Sequence, residues 1–293
     1  MDIEAFLAAE RLTRDYVQTI ERIHVPLANA IVGRCADAAT LVVGLCGPQG
    51  SGKSTMALAL AALLQDRGVS SAILSLDDLY LMRAERARLA RDVHPLLAAR
   101  GVPGTHDVEL GLATLRALRE PGRVALPRFD KATDDRLPRE VWRQVAAPVQ
   151  VVLFEGWCVG ARTQESAALM VPVNALERDE DPERVWRTYV NESLGGAYQQ
   201  LFAEIDALIL LQPPGFEVVY AWRCEQEHKL RERADIPAAE CRVMSDAQIA
   251  RFVAHFERLT RHILAEMPAR ADAIVTLGER REPLGLVIRG KLA

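Results

Sequence analysis

A chain of 293 residues, 49% of them hydrophobic, can bury a sizeable core as one large domain or two modest ones. Its 36 basic and 40 acidic residues leave a net charge of −4, which gives no support to a nucleic-acid or anionic-membrane partner. No apolar stretch approaches the roughly 18 residues that a membrane span needs, and Met1-Asp2-Ile3-Glu4 lacks the basic-then-apolar order of a signal peptide.

Residues 1–39 carry Phe6, Leu7, Tyr16, Ile20 and Ile23 near helical spacing, which predicts a packing helical extension interrupted at Pro26. Residues 40–293 read as one α/β domain. It opens with the apolar run Val42-Val43-Gly44-Leu45-Cys46, which enters Gly47-Pro48-Gln49-Gly50-Ser51-Gly52-Lys53-Ser54-Thr55. That stretch matches G-x-x-x-x-G-K-[ST], and Met56 to Leu64 after it reads as a helix. Strand, glycine-rich loop and helix in this order form a phosphate-binding loop. Gly47, Gly50 and Gly52 are expected at positive φ, so that successive N–H groups wrap a polyphosphate. The free N–H groups of the helix start favour an anion there. Lys53 is expected to reach the β- and γ-phosphates, and the Ser54 hydroxyl to complete a Mg²⁺ shell. These residues make the chain a binder of nucleoside triphosphate.

Asp66-Arg67-Gly68 ends the helix, with Gly68 as its left-handed stop. Ser71 to Leu76 predicts a second buried strand that delivers Asp77-Asp78-Leu79-Tyr80 at its tip. In an open parallel sheet ligands sit beyond the carboxyl ends of the strands. Asp77 is therefore a candidate to accept the proton of an attacking hydroxyl and to help hold Mg²⁺. Capping or a solvated turn is the competing reading, and the stronger one for Asp78. Arg83 to Leu97 is charged and mixed, a helical or loop segment. The turn-rich Arg100-Gly101-Val102-Pro103-Gly104-Thr105-His106-Asp107 leads into a helix with Val108, Leu112, Leu115 and Leu118 on one face.

Glu120-Pro121-Gly122 breaks that helix, and Val124 to Leu126 reads as a short strand. Beyond it, Arg128, Lys131 and Arg136 fall within nine residues, a set able to bind a carboxylate. Val149 to Phe154 is a hydrophobic strand with Glu155 at its end, the pattern of a Walker B element that holds Mg²⁺ through water. Gly156 permits a sharp turn, and Trp157 is a candidate wall of the acceptor pocket. Asp181-Pro182-Glu183 predicts a helix start and Ala207 to Leu211 another buried strand. Residues 217–234 form a charged helix with Arg223, Lys229, Arg231 and Arg233, which suits a lid spanning about 217–245. Asp246 to Leu264 reads as an amphipathic helix and Ala273 to Leu277 as the last strand. The five scattered cysteines form no C-x-x-C pair, which predicts reduced thiols in a cytoplasmic protein.

Taken together, GPQGSGKST (47–55), SLDDLYL (75–81), RGVPGTHD (100–107), LPRFDKATDDR (126–136) and FEGW (154–157) resemble one family. It is the plant-type D-glycerate 3-kinases, within the P-loop kinases that include uridine kinase, phosphoribulokinase and bacterial pantothenate kinase. The likeness runs over about residues 41 to 278 by motif order. It implies ATP- and Mg²⁺-dependent transfer of the γ-phosphoryl to a hydroxyl of glycerate, giving 3-phosphoglycerate. It implies Asp77 as base, and a lid arginine, here Arg223. On this reading Lys53 and Asp77 act in catalysis, and Ser54, Asp77 and Glu155 at the metal. Tyr80, His106, Asp107, Arg128, Asp130, Arg136 and Trp157 serve the small hydroxy-acid acceptor. The segment between Lys131 and Arg136 is shorter than the family's glycine-containing loop.

The expected fold is α/β: a parallel, mostly five-stranded sheet with helices on both faces and a helical lid. A kinase for a nucleoside or pantothenate, an ATP-hydrolysing switch or assembly factor, and a structural nucleotide-binding module remain open beside the glycerate reading.

Overall fold

The computed structural model describes residues 1–35, 39–233 and 245–293, with the side chains of 226–233 outside the described part. Its strands, in chain order, are β1 (Leu41–Cys46), β2 (Ser71–Ser75), β3 (Gly122–Leu126), β4 (Phe129–Asp130), β5 (Asp135–Arg136), β6 (Arg143–Ala147), β7 (Val151–Gly156), β8 (Ala207–Gln212), β9 (Ala273–Leu277) and β10 (Pro283–Ile288). The central sheet has the order β10-β9-β8-β1-β7-β2. Its β9, β8, β1, β7 and β2 run parallel, as the sequence predicts. The sixth strand, β10, pairs antiparallel with β9 and was not anticipated. Its Pro283 and Gly285 argue against a strand, and the register shifts between them.

Every residue of β1 and β7 is buried, because helices cover both faces of a parallel sheet. On one face Leu41, Val43, Leu45, Val151 and Leu153 pack with Met56, Leu60 and Leu64 of the helix Lys53–Asp66. On the other, Val42, Cys46, Val152 and Phe154 meet Leu112, Leu115, Leu201 and Ile263. Each such aliphatic side chain contributes about 1.5–3 kcal/mol by leaving water. This two-sided core fixes the strand tips, and with them the site.

Residues before β1 join that core: Ile23, Leu27, Ala28 and Ile31 pack in the cluster that holds Leu41 and Met56. The break expected at Pro26 does not occur. The chain stays helical from Tyr16 to Cys35, with a π-helical turn at Ile20–His24 just ahead of the helix Val25–Cys35. Pro26 falls where the π-helical turn meets that last helix, and the wider turn accommodates its ring and missing N–H.

One further expectation shifts. The helix expected from Asp181 starts at Val185, although the Asp181 carboxylate still accepts from the N–H groups of Trp186 and Arg187 at 2.8 and 3.2 Å. That segment is split into Val185–Gly195 and Ala197–Ala203. The Val124–Leu126 strand lies outside the central sheet, where β3 pairs with β6. No helix among the described residues is long and apolar enough to cross a membrane.

Arg86, in the helix Arg83–Asp92, is almost completely buried. It donates to the carbonyls of Leu81, Ala98 and Asp134 at 3.2, 2.8 and 2.9 Å, and pairs with the Asp134 carboxylate at 2.9 Å. This guanidinium ties the end of the Leu76–Leu79 turn to the hairpin of β4 and β5. Arg86→Ala leaves three carbonyls and a carboxylate short of a donor. The expected loss is about 3 kcal/mol of stability, read as a lower denaturant midpoint with an unchanged slope.

Candidate active site

The loop after β1 makes a hollow for an anion. Gly50 and Gly52 have φ of 78° and 91°, a region that side chains rarely tolerate. Gly50 also lies against the helix Glu217–Arg233, where an added Cβ would fall 2.8 Å from Cβ of Trp222. Gly47 is not at positive φ as the sequence reading expects. Close packing explains it instead, since a Cβ there would come within 2.9 Å of Leu211 and Ser51. The Gln49 Oε1 and Ser51 Oγ atoms in the loop are buried without partners among the described residues. Lys53 opens the helix Lys53–Asp66 and donates through Nζ to the Pro48 carbonyl at 3.3 Å, folding back over the loop. Thr55 follows within the same helix, half-buried.

Register brings the other strand tips to this loop. Glu155 of β7 stands opposite Leu45 of β1 and Ser75 of β2. Its buried carboxylate accepts from the Ser54 hydroxyl at 3.1 Å. A Cβ on the next residue, Gly156, would lie 2.6 Å from Cβ of Leu76, so glycine lets the ends of β7 and β2 close together. Asp77 follows Ser75, the register partner of Glu155, by two residues, and the Lys53 charge acts on it.

Asp77 is held on both oxygens. Oδ1 accepts from the Tyr80 hydroxyl at 2.8 Å, and Oδ2 pairs with Lys131 Nζ at 2.6 Å. Burial pushes this carboxyl up, but Lys131, Lys53 and the Tyr80 hydroxyl outweigh it and hold it well below the usual carboxylate range. Asp77 is thus ionised at neutral pH. Asp78 serves the scaffold: it accepts from the Phe129 N–H at 3.0 Å and lies 3.7 Å from Arg128. Burial raises its pKa despite both contacts.

A second group gathers around Tyr80, which is buried and forms an isolated β-bridge with His106. The two rings stack at 4.6 Å and 22°, and the Phe129 ring meets Tyr80 edge-on at 5.2 Å. His106 is buried, which pushes its imidazole down to about 3 against the pull of Asp77. Its Nδ1 lies 2.6 Å from the Tyr198 hydroxyl, and its Nε2 has no partner. Arg136 donates through Nη2 to the Tyr80 carbonyl at 3.0 Å and pairs with Asp107 at 3.1 Å, while its buried Nε is also unpartnered. Asp107 itself caps the helix Val108–Ala117 through the Leu110 N–H at 3.0 Å.

Other candidates are placed elsewhere. Trp157 is buried, its indole N–H bonded to the Gly101 carbonyl at 2.8 Å and its ring edge-on to Phe256 at 4.9 Å. Asp130 closes the β4–β5 turn by accepting from Ala132 N–H and the Thr133 hydroxyl, each at 2.9 Å. The Arg128 side chain is mostly exposed. Arg223 lies with its guanidinium 5.6 Å over the Phe252 ring. The side chains of Lys229, Arg231 and Arg233, and the end of the expected lid, lie outside the described residues.

Tyr198, whose hydroxyl contacts His106, has as its only signal in sequence a polar-tipped ring on an apolar helix face. Lys131 was read as a carboxylate binder, and here its partner is Asp77.

Residues 42–171 match the Phosphoribulokinase / Uridine kinase family. The uncharacterized kinase mug58 of Schizosaccharomyces pombe is 35% identical over 225 residues, covering 73% of this chain and 78% of that protein. The chloroplastic D-glycerate 3-kinase of Arabidopsis thaliana is 30% identical over 267 residues, 85% of this chain. The chain spans about half of that relative, 55% of its length. The structure of a D-glycerate 3-kinase from Cryptococcus neoformans var. grubii superposes with a TM-score of 0.74 at 25% identity, covering 89% of this chain and 97% of that one. These likenesses bear out the resemblance read from the sequence motifs. The chain belongs to the phosphoribulokinase/uridine kinase family of P-loop kinases, and it is a phosphotransferase with a hydroxyl acceptor.

Proposed function

We propose that the protein is an ATP- and Mg²⁺-dependent kinase that phosphorylates D-glycerate to 3-phosphoglycerate in the cytoplasm. The observation that carries this reading is Asp77: an ionised carboxylate just past a strand tip, held by Lys131 and Tyr80 and acted on by Lys53 of the phosphate loop. The four described cysteines are free, which suits a reducing compartment. In this reading residues 1–39 are a packed extension of the kinase domain 40–293, and the helix from Glu217 begins its lid.

The residues fit the groups that the reaction needs. Ser54 and Glu155 put a hydroxyl and a carboxylate 3.1 Å apart, and no cluster of three or more metal-binding His, Cys, Asp or Glu occurs among the described residues. One or two oxygen ligands from protein, completed by water and phosphate, is the Mg²⁺ pattern rather than that of a structural metal. Bound there, Mg²⁺ would neutralise charge on the phosphate oxygens. The loop N–H groups and Lys53 take the triphosphate. Asp77 takes the proton of the acceptor hydroxyl as its oxygen bonds to the γ-phosphorus and the bond to the β-phosphate oxygen breaks. The acceptor's carboxylate has two donors waiting: Arg136 Nε and His106 Nε2 are buried, unpartnered and both on residues that touch Tyr80.

Acceptor-dependent ADP release with D-glycerate, L-glycerate, uridine and pantothenate, side by side, tests the reading. Turnover with D-glycerate that yields 3-phosphoglycerate is expected. ADP release indifferent to all four acceptors would point to a hydrolysing switch instead. Arg136→Ala is expected to raise the acceptor KM by about 30-fold, the loss of one charge-assisted bond of about 2 kcal/mol, with the KM for ATP little changed. Equal effects on both substrates would count against Arg136 as the carboxylate anchor.

A further inference from the structure

Tyr198 meets His106 at the Nδ1 edge of the ring, while Tyr80 stacks on its face. Its hydroxyl oxygen accepts from the Gly104 N–H at 3.0 Å and lies 2.6 Å from His106 Nδ1. With the amide on the oxygen, the hydroxyl hydrogen has Nδ1 as its acceptor. A neutral imidazole that accepts at Nδ1 carries its proton on Nε2. Burial keeps both groups in the states this needs, the imidazole neutral and the phenol protonated. The chain Gly104 N–H to Tyr198 O–H to His106 therefore selects one of two tautomers.

The choice matters because of what Nε2 faces. It is buried and has no hydrogen-bond partner among the described residues. Leaving a buried donor unpaired costs about 1–3 kcal/mol, so a fold that keeps one is poised for a partner. The charge that acts on this ring is that of Asp77, the carboxylate that an acceptor hydroxyl must reach. Tyr80 covers the imidazole and is tethered to the same Asp77, so an acceptor arriving at Asp77 disturbs both contacts at once. An N–H in this place binds an anionic oxygen, whereas the other tautomer would present a lone pair to it.

We propose that Tyr198 is a positioning residue for the phosphoryl acceptor: it locks His106 as the Nε2–H tautomer, so that Nε2 donates to a carboxylate oxygen of the bound hydroxy acid. The second half rests on the hydroxy-acid reading above. The first half does not, and two measurements separate them.

The first is nitrogen NMR of the full chain labelled with ¹⁵N-histidine, without acceptor, the His106 signals being assigned by their loss in His106→Gln. The expected spectrum has a protonated Nε2 and a bare Nδ1, and Tyr198→Phe loses that single tautomer. A protonated Nδ1 in the unaltered chain, or no change in Tyr198→Phe, overturns the lock. The second is kinetics. Tyr198→Phe is expected to raise the KM for D-glycerate about tenfold, near the lower end of what one hydrogen bond to a charged group contributes, with kcat and the KM for ATP unchanged. An unchanged acceptor KM, or equal rises for both substrates, overturns the positioning role. Absence of D-glycerate turnover in the unaltered enzyme refutes the acceptor reading, and the spectrum still decides the tautomer.

Discussion

Asp77→Asn is expected to lower kcat by about 10³-fold, within the range that a positioned general base contributes. The amide keeps the shape of the carboxylate and still accepts from the Tyr80 hydroxyl at one atom. It offers no basic oxygen, and it loses the ion pair with Lys131. The depressed pKa of Asp77 makes it a weak base in the resting state, which suits this reaction. In a loose phosphoryl-transfer transition state the nucleophile forms little bond and keeps its proton until late. The carboxylate need only be ionised and aligned when that proton leaves.

The same electrostatics fix the acid side of the pH profile. Burial alone would raise the Asp77 pKa, but Lys131, Lys53 and the Tyr80 hydroxyl lower it further than burial raises it. A folded pKa below the unfolded value keeps the base charged throughout the neutral range. Its ion pair is lost only as pH falls beneath the ordinary carboxylate range. The Asp77→Asn loss should therefore be as large at pH 6 as at pH 8, in acceptor-dependent ADP release followed at both. A loss of less than about tenfold, where base catalysis contributes at least 10², would remove Asp77 from that role.

What the sequence made legible was local. The phosphate loop is a contiguous pattern, and Asp77 and Glu155 each end an apolar run, so a parallel sheet carries both to one edge. The neighbours of Asp77 were not legible, because pairing across the site depends on how the hairpin of β4 and β5 folds over the strand tips. Lys131 reads as one cation among three in a charged stretch until that hairpin sets its Nζ on Asp77. Arg86 looks like any exposed arginine in a charged helix, and only tertiary packing buries it among three carbonyls. Tyr198 lies 92 residues from His106 in sequence, so their contact follows no local periodicity. The burial of Trp157 was not legible either: it directly follows the Walker B glycine, and the chain turns there and packs its ring edge-on to Phe256.

Lys53→Ala is expected to lower kcat by about 10²–10³-fold, the effect of removing one donor aimed at developing transition-state charge. Its Nζ now rests 3.3 Å from the Pro48 carbonyl, a neutral contact that a phosphate oxygen can displace without stranding a carboxylate. Lys131 is engaged differently, being paired with Asp77, and does not replace it. Asp77 keeps Lys131 and the Tyr80 hydroxyl in the variant, so the base stays ionised and the deficit falls on the transferring phosphoryl group. Lys53→Arg should fail nearly as badly, because a planar guanidinium is wider than an ammonium in a loop where Gly50 already touches Trp222. The check is kcat and both KM values, with nucleotide affinity measured by calorimetry in the absence of acceptor. A variant that loses only ATP affinity and keeps kcat would make Lys53 a binding residue alone. Charge stabilisation of the transfer would then fall to the loop N–H groups and the helix end beneath them.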